Sequence, residues 1–225
     1  TKSDGIALVD AVNNTVFRND CINGLGGSAA ITLDYSHYNT LAKNNCSYNY
    51  GGIKLTLSDN NTVRHNTILH DLTTYAVGDG IEIDSSNDNT ISYNHCNGYI
   101  SAGIIIRSSY SDSRFNTVVN NICTSPDAPV LWEVSGIKLW PNGGIVSNNT
   151  ITGNNCSGNY YGIYLTGSLD NSITNNTCVT NEYGIWFNDR SDWNVVNNNT
   201  CSQNKMDGIH LSGSFDCILS NNTCV

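Results

Sequence analysis

The stretch from Asp170 to Ile185 returns in variant form along the whole chain. Its apolar residues Ile173, Cys178 and Ile185 stand five and seven positions apart, and Val195 follows about ten further on. A period of about 22 residues lies in the range of solenoids, whose units each bury their apolar face against the next. The same unit is headed by Ile6, Ile31, Ile53, Ile81, Ile104, Ile137, Ile163, Ile185 and Ile209, which defines about nine coils. Most of these isoleucines follow a glycine, as in Gly52-Ile53-Lys54-Leu55 and Gly184-Ile185-Trp186-Phe187.

Within each coil the apolar residues alternate over very short runs separated by Gly and Asn. Period two over three or four residues is the pattern of half-buried strands and is too short for helices. Coils stacked about 4.8 Å apart bring equivalent positions above one another as columns. Columns of Ile, Leu and Val then fill a narrow interior. Columns of Asn two residues before an apolar anchor mark corners, where Asn tolerates left-handed backbone and bonds its copies above and below. The glycine before each isoleucine is expected at a third corner. The expected fold is all-β, a right-handed single-stranded parallel β-helix with three strands per coil. Residues 1–225 are expected to form one such domain, uncapped at both ends.

Composition narrows the function. Only 13% of residues are charged, the net charge is -9, and no Lys/Arg cluster occurs. That balance argues against nucleic acid and anionic membrane surfaces as partners. No apolar run reaches the 18 residues of a membrane span. The nine cysteines contain no C-x-x-C pair, which removes the zinc-ribbon reading.

The spacing of Asn-x-Ile ahead of Gly-Ile-x-Leu across all nine coils resembles the repeats of NosD-like parallel β-helix proteins. It is also similar to the PbH1-type repeats of carbohydrate-binding and sugar-hydrolase surface proteins, abundant in archaeal envelopes. The resemblance covers the whole chain and implies the β-helical fold with an extracellular or cell-surface location. It rests on structural positions, so it carries little about function.

Eight cysteines, Cys21, Cys46, Cys96, Cys123, Cys156, Cys178, Cys201 and Cys224, occupy one column, with Ile68 in the remaining coil. An apolar substitute places that column inside. There the thiols serve as small hydrophobes, or they pair between neighbouring coils, since the ~4.8 Å rise lies within the Cα separation of a disulfide. Adjacent pairing would join Cys21–Cys46, Cys96–Cys123, Cys156–Cys178 and Cys201–Cys224. A metal ladder is the third reading. Copper, which the NosD resemblance brings up, would want Met and His beside the thiols, and the chain has one Met and five scattered His. No cofactor is expected. Cys217 stands in an Asn column instead.

Asn-x-Ser/Thr acceptors occur at Asn13, Asn60, Asn148, Asn175, Asn198 and Asn221, and Asn45 and Asn155 fit the same motif. The repeat itself demands most of these asparagines, although a surface protein could carry glycans on the outward ones.

Two functional expectations follow. Coils lengthen between His70 and Asp79, between Thr124 and Ser135, around Tyr110 to Arg114, and around Trp140 to Gly144. Beside these loops one sheet presents Lys54, Glu82, Asp84, Arg107 and Lys138 outward. Glu82, Asp84 and Arg107, with Trp132 and Trp140 as stacking platforms, form a candidate glycan face. Paired-Asp, His-Gly and Arg-x-Lys signatures of pectin-degrading β-helices are missing at matched positions, so no catalytic residue is assigned. The other expectation is a structural one. From Cys224 of one copy to Ile6 of the next is seven residues, and from Ile209 to that Ile6 is 22, the phase of the repeat. Copies stacked head to tail as a surface filament, hoop or sheath would bury Ile6, Leu8, Val16 and Cys21 against Ile209, Leu211, Leu219 and Cys224. This self-assembly is the main expectation, and polysaccharide binding or degradation near coils three to six is its alternative.

Overall fold

A computed structural model of the chain describes residues 4–24, 27–70, 78–126 and 133–225. It is an all-β right-handed parallel β-helix. Its first sheet has nine parallel strands, from Ile6–Val9 and Ala29–Asp34 at one end to Tyr183–Asn188 and Ile209–Leu211 at the other. A second nine-stranded sheet runs from Thr15–Phe17 to Ile218–Ser220, so eight full turns separate first strand from ninth. The third side is thinner. Three strands, Thr67–Leu69, His95–Asn97 and Ile122–Thr124, pair there, and isolated bridges such as Thr177↔Thr200 continue the line.

Pairing between coils is parallel and in register, as in Ile104↔Ile137 and Val118↔Ile151. Each apolar anchor therefore lies on its own copy, and the interior is a set of stacked aliphatic columns with Cys96, Cys123, Cys156 and Cys178 fully buried among them. Each fully buried Ile, Leu or Val contributes about 1.5–3 kcal/mol of transfer free energy. Cys96 pairs with Ile68 on one side and Cys123 on the other, which places the cysteine column inside as expected. Cys224 departs from that expectation: it keeps its place in the column beside Cys201 and Gly208, but on the last rung it is exposed. All nine thiols are free.

Two asparagine ladders brace the corners. In one, Asn19, Asn44, Asn66, Asn94, Asn121, Asn154, Asn176 and Asn199 each donate Nδ2–H to the Oδ1 of the next rung at 3.0 Å, ending on Asn222. In the other, rungs from Asn14 to Asn194 do the same at 3.1–3.2 Å. Most interior rungs also donate to a backbone carbonyl, as Asn121 does to Ile91 at 2.9 Å. The corner polar groups thereby stay paired although water is excluded.

Two details of the corners differ from the sequence reading. The left-handed residue is the one before each ladder asparagine, such as Asn60 (φ 59°), His65 (φ 55°) or Asn175 (φ 56°). The ladder residue itself turns its side chain inward along the axis. The glycines before the isoleucines are likewise not corners. Gly52 and Gly103 lie at or within strands, and what they supply is absence of a side chain. A Cβ on Gly103 would stand 2.8 Å from the Cβ of Cys123 and 2.8 Å from the carbonyl oxygen of Gly136.

Candidate functional site

Outward positions of the first sheet stack as strictly as inward ones. Strand pairing sets Lys54, Glu82, Ile105, Lys138, Tyr164, Trp186 and His210 in one column along the axis. A second column holds Thr56, Asp84, Arg107 and Trp140, and a third holds Ser135, Tyr161 and Tyr183. The face divides into a charged half and an aromatic half, with Lys138 and Trp140 between them.

The charged half is internally compensated. Glu82 Oε1 lies 3.2 Å from Lys54 Nζ and 3.5 Å from Arg107 Nε, and Arg107 Nη2 lies 3.0 Å from Asp79 Oδ2. Asp79 also accepts the Ala102 N–H at 3.0 Å. A cleft of about 260 Å³ opens beside this network, between Tyr50, Gly78 and Lys54. Along the same face, a depression of about 490 Å³ is bounded by Tyr35, Lys54 and Tyr110.

The aromatic half is assembled from successive strands. Trp186 and His210 stack with ring centroids 3.9 Å apart at 13°, and Tyr161 and Tyr164 stack at 4.9 Å and 18°. Tyr183 meets Trp186 edge-on at 4.4 Å. His210 Nδ1 is 2.7 Å from Asp207 Oδ2. Rings packed in this way offer solvent their rims, where apolar edges sit beside phenolic O–H, indole N–H and imidazole N–H groups. Burial, then Glu133 and the neighbouring Tyr160, push the Tyr161 phenol above its usual range. Around the corner, a pocket of about 360 Å³ is lined by Tyr160, Thr180, Asn181, Glu182 and Lys205. There Lys205 Nζ pairs with Glu182 Oε2 at 3.1 Å.

Between the halves, Lys138 Nζ stands 4.7 Å from the centre of the Trp140 ring and 5.4 Å from that of Tyr164. Arg107 approaches the same indole at 5.8 Å. Burial lowers the Lys138 pKa, with Arg107 adding to the shift and Asp79 and Glu133 opposing it.

Of the residues expected on a glycan face, three share this surface. Glu82, Arg107 and Trp140 lie on it together. Asp84 does not: it is buried, its Oδ1 accepting from Ser85 Oγ at 2.9 Å and from the Ser109 N–H at 2.8 Å. The chain that follows the neighbouring strand folds over this carboxylate and uses it to hold its own backbone. Trp132 lies outside the described residues, as do residues 71–77 and 127–132 of the two longest loops. Sequence reasoning missed Tyr161, Tyr164, Tyr183, Trp186 and His210. The signal was available, because Tyr164, Trp186 and His210 fill the x of Gly-Ile-x-Leu just as Lys54, Glu82 and Lys138 do.

Other expected positions are placed as follows. Leu8, Val16 and Cys21 are nearly buried at one end, whereas Leu211 and Leu219 are 36% and 44% exposed at the other. Asn13, Asn60, Asn148, Asn175, Asn198 and Asn221 are exposed, each with left-handed backbone. Among the described residues no helix is long and apolar enough to cross a membrane.

Comparison with known proteins gives a family and a fold. The family model described as periplasmic copper-binding protein (NosD) matches residues 1–143 and again 140–225. No curated protein sequence matches the chain. Among solved structures, the periplasmic alginate epimerase AlgG superposes with a TM-score of 0.64 at 15% identity, over 96% of this chain and 50% of its own. The tailspike protein of E. coli bacteriophage HK620 (mutant E372A), solved in complex with a pentasaccharide, gives 0.74 at 14% identity, over 97% and 43%. ORF18 of Geobacillus virus E2 gives 0.60 at 12% identity, over 92% and 46%. The chain spans half or less of the length of these three proteins. At such identities they share its fold.

Proposed function

The chain belongs to the NosD family, and from that membership and the face just described we propose that it is a polysaccharide-binding β-helix of the cell envelope. One observation carries this reading: the unbroken outward column Lys138, Tyr164, Trp186, His210, with Tyr161 and Tyr183 beside it. Successive coils offer one such rim about every 4.8 Å, so an extended sugar chain lying along the axis meets a new rim with each turn. Apolar sugar faces contact the ring edges, and hydroxyls reach the polar tips of Tyr, Trp and His. The structural neighbours support it, since one is named as an alginate epimerase and another was solved with a bound pentasaccharide. They favour this reading over a head-to-tail filament. The periplasmic description of the family and of AlgG supports an envelope location.

Copper does not enter this proposal, because the donor set does not fit a copper centre. Among the described residues no group of three or more His, Cys, Asp or Glu is placed to hold a metal ion. Seven thiols of the cysteine column are buried among aliphatic side chains, closed off from an ion in solvent. The one methionine, Met206, lies on the surface.

The test is calorimetric titration of the protein with a panel of acidic and neutral oligosaccharides. Binding that is lost in a Tyr164→Ala/Trp186→Ala double variant of unchanged thermal stability is the expected result. Binding to none of the panel, or binding untouched by the double variant, would overturn the proposal.

A further inference from the structure

Resting on that reading, we infer that Lys138 is the site where an acidic group of the sugar binds, either the carboxylate of a uronic acid or a sulfate ester. Among the described residues, every other cationic side chain at the centre of this face is already engaged. Lys54 and Arg107 hold Glu82, and Arg107 holds Asp79. Toward the aromatic end, Lys205 holds Glu182 and His210 meets Asp207. Lys138 makes none of the ion pairs or side-chain hydrogen bonds found among the described residues. Its neighbours are the rings of Trp140 and Tyr164.

An ammonium group has three donors and attracts an anion by charge as well as by hydrogen bonding. Two aromatic walls keep water off its flanks, so a partner anion would be screened less there than at an open lysine. The rings stabilise the cation without supplying an oxygen acceptor. Glu133 and Asp79 act on Lys138 only at longer range. The position matters as much as the charge. Lys138 pairs in register with Tyr164, the first ring of the aromatic column, and so lies one coil from it. A sugar chain whose units rest on Tyr164, Trp186 and His210 brings its next unit over Lys138. An acidic substituent on that unit would fix the register of the chain on the face, which the repetitive rims alone cannot do.

The experiment compares three ligands of equal length and linkage: an oligouronide, its carboxyl-reduced neutral counterpart, and the sulfated form of the latter. Each is titrated calorimetrically into the wild type, Lys138→Met and Lys138→Arg at low ionic strength. The expected result is a preference of about tenfold for one or both acidic ligands over the neutral one, on the order of one charge-assisted contact. Lys138→Met, which keeps an unbranched stem between the rings, abolishes that preference, so that the three ligands bind it alike. Lys138→Arg retains it. Equal affinity of the wild type for all three ligands, or a preference that survives in Lys138→Met, overturns the inference while the glycan reading stands. Binding of none overturns both. Which acidic ligand gains identifies the source of the anion.

Discussion

A methyl group at Gly136 would stand 2.8 Å from the Cβ of Cys156, the residue that closes the same coil, and 2.6 Å from the carbonyl oxygen of Gly162 above it. The two positions are therefore coupled through space: a bare backbone on one strand makes room for the cysteine column on the next side of the coil. Such distances fall below any ordinary van der Waals contact, and one of the obstacles is backbone that cannot rotate away. Gly136→Ala is expected to cost about 1–3 kcal/mol by overpacking. Adding Cys156→Ala should not restore that loss, because alanine keeps the Cβ at that position and the carbonyl contact also remains. Denaturant unfolding of the single and double variants measures this, and full recovery in the double variant would be inconsistent with it.

The cysteine column should be sealed in the folded protein. Seven of the nine thiols are buried, Cys217 is half-buried and Cys224 is exposed. A thiol reagent added to reduced, native protein should modify Cys224 and Cys217 rapidly and the other seven only after denaturation. Cys178→Ser should cost about 1–3 kcal/mol by placing a poorly satisfied hydroxyl in an aliphatic interior. Cys178→Asp should cost more. Rapid native-state labelling of all nine would contradict the burial.

Cys217 interrupts an asparagine ladder at the rung above Asn194. Its Sγ lies 3.3 Å from the Ser191 carbonyl, the place where Asn194 Nδ2 in its own coil meets Ser168. Cys217→Asn would give the Asn194 backbone N–H and Nδ2 an oxygen acceptor, as every lower rung has. The expected gain is about 0.5–1.5 kcal/mol. A rise in the unfolding midpoint checks this; no change or a loss speaks against ladder continuity as a source of stability.

His70 confers an acid sensitivity. It is 8% exposed, neither ring nitrogen has a partner among the described residues, and burial lowers its pKa to about 4. Between pH 6.5 and about 4 the unfolded chain binds a proton that the folded chain refuses, so stability falls as pH falls through this window. The contribution is present in full above pH 6.5 and amounts to roughly 3 kcal/mol over the window. His70→Leu should flatten the pH dependence of the unfolding midpoint there. An unchanged slope in that variant would assign the acid sensitivity to other groups.

On the aromatic half of the face, Trp186→Ala removes a ring that contacts His210, Tyr183 and Tyr161 at once. Affinity for a bound oligosaccharide should drop about tenfold, the measure of one aromatic contact and the disorder of its neighbours. Trp193→Ala is the control, since Trp193 is exposed at a corner between the two large sheets. Equal losses from the two variants would argue against a located site.

The sequence by itself determined the fold. Residues five, seven and ten apart, repeated about nine times, admit one arrangement in which each Ile, Val and Cys meets its own copy, and Ile68 in the cysteine column already marked that column as inward. Register needed no tertiary information, because a slip of one residue would turn every anchor toward water. The face was legible where charge drew attention to it, at Lys54, Glu82, Arg107 and Lys138, and at Trp140 beside a lengthened coil. Tertiary structure decided the rest. Asp84 has the same strand position as the outward Arg107, yet the chain crossing above it made it a buried acceptor. Gly103 could be read as a turn until the carbonyl of Gly136 and the Cβ of Cys123 were seen to crowd it. Tyr161, Tyr183 and Trp186 became one aromatic surface because residues 22 or more apart in sequence are neighbours along the axis, within reach of one another's rings. Which side chains pair, stack or cover one another depends on rotamers and on chain crossing from other coils, and a one-dimensional period contains neither.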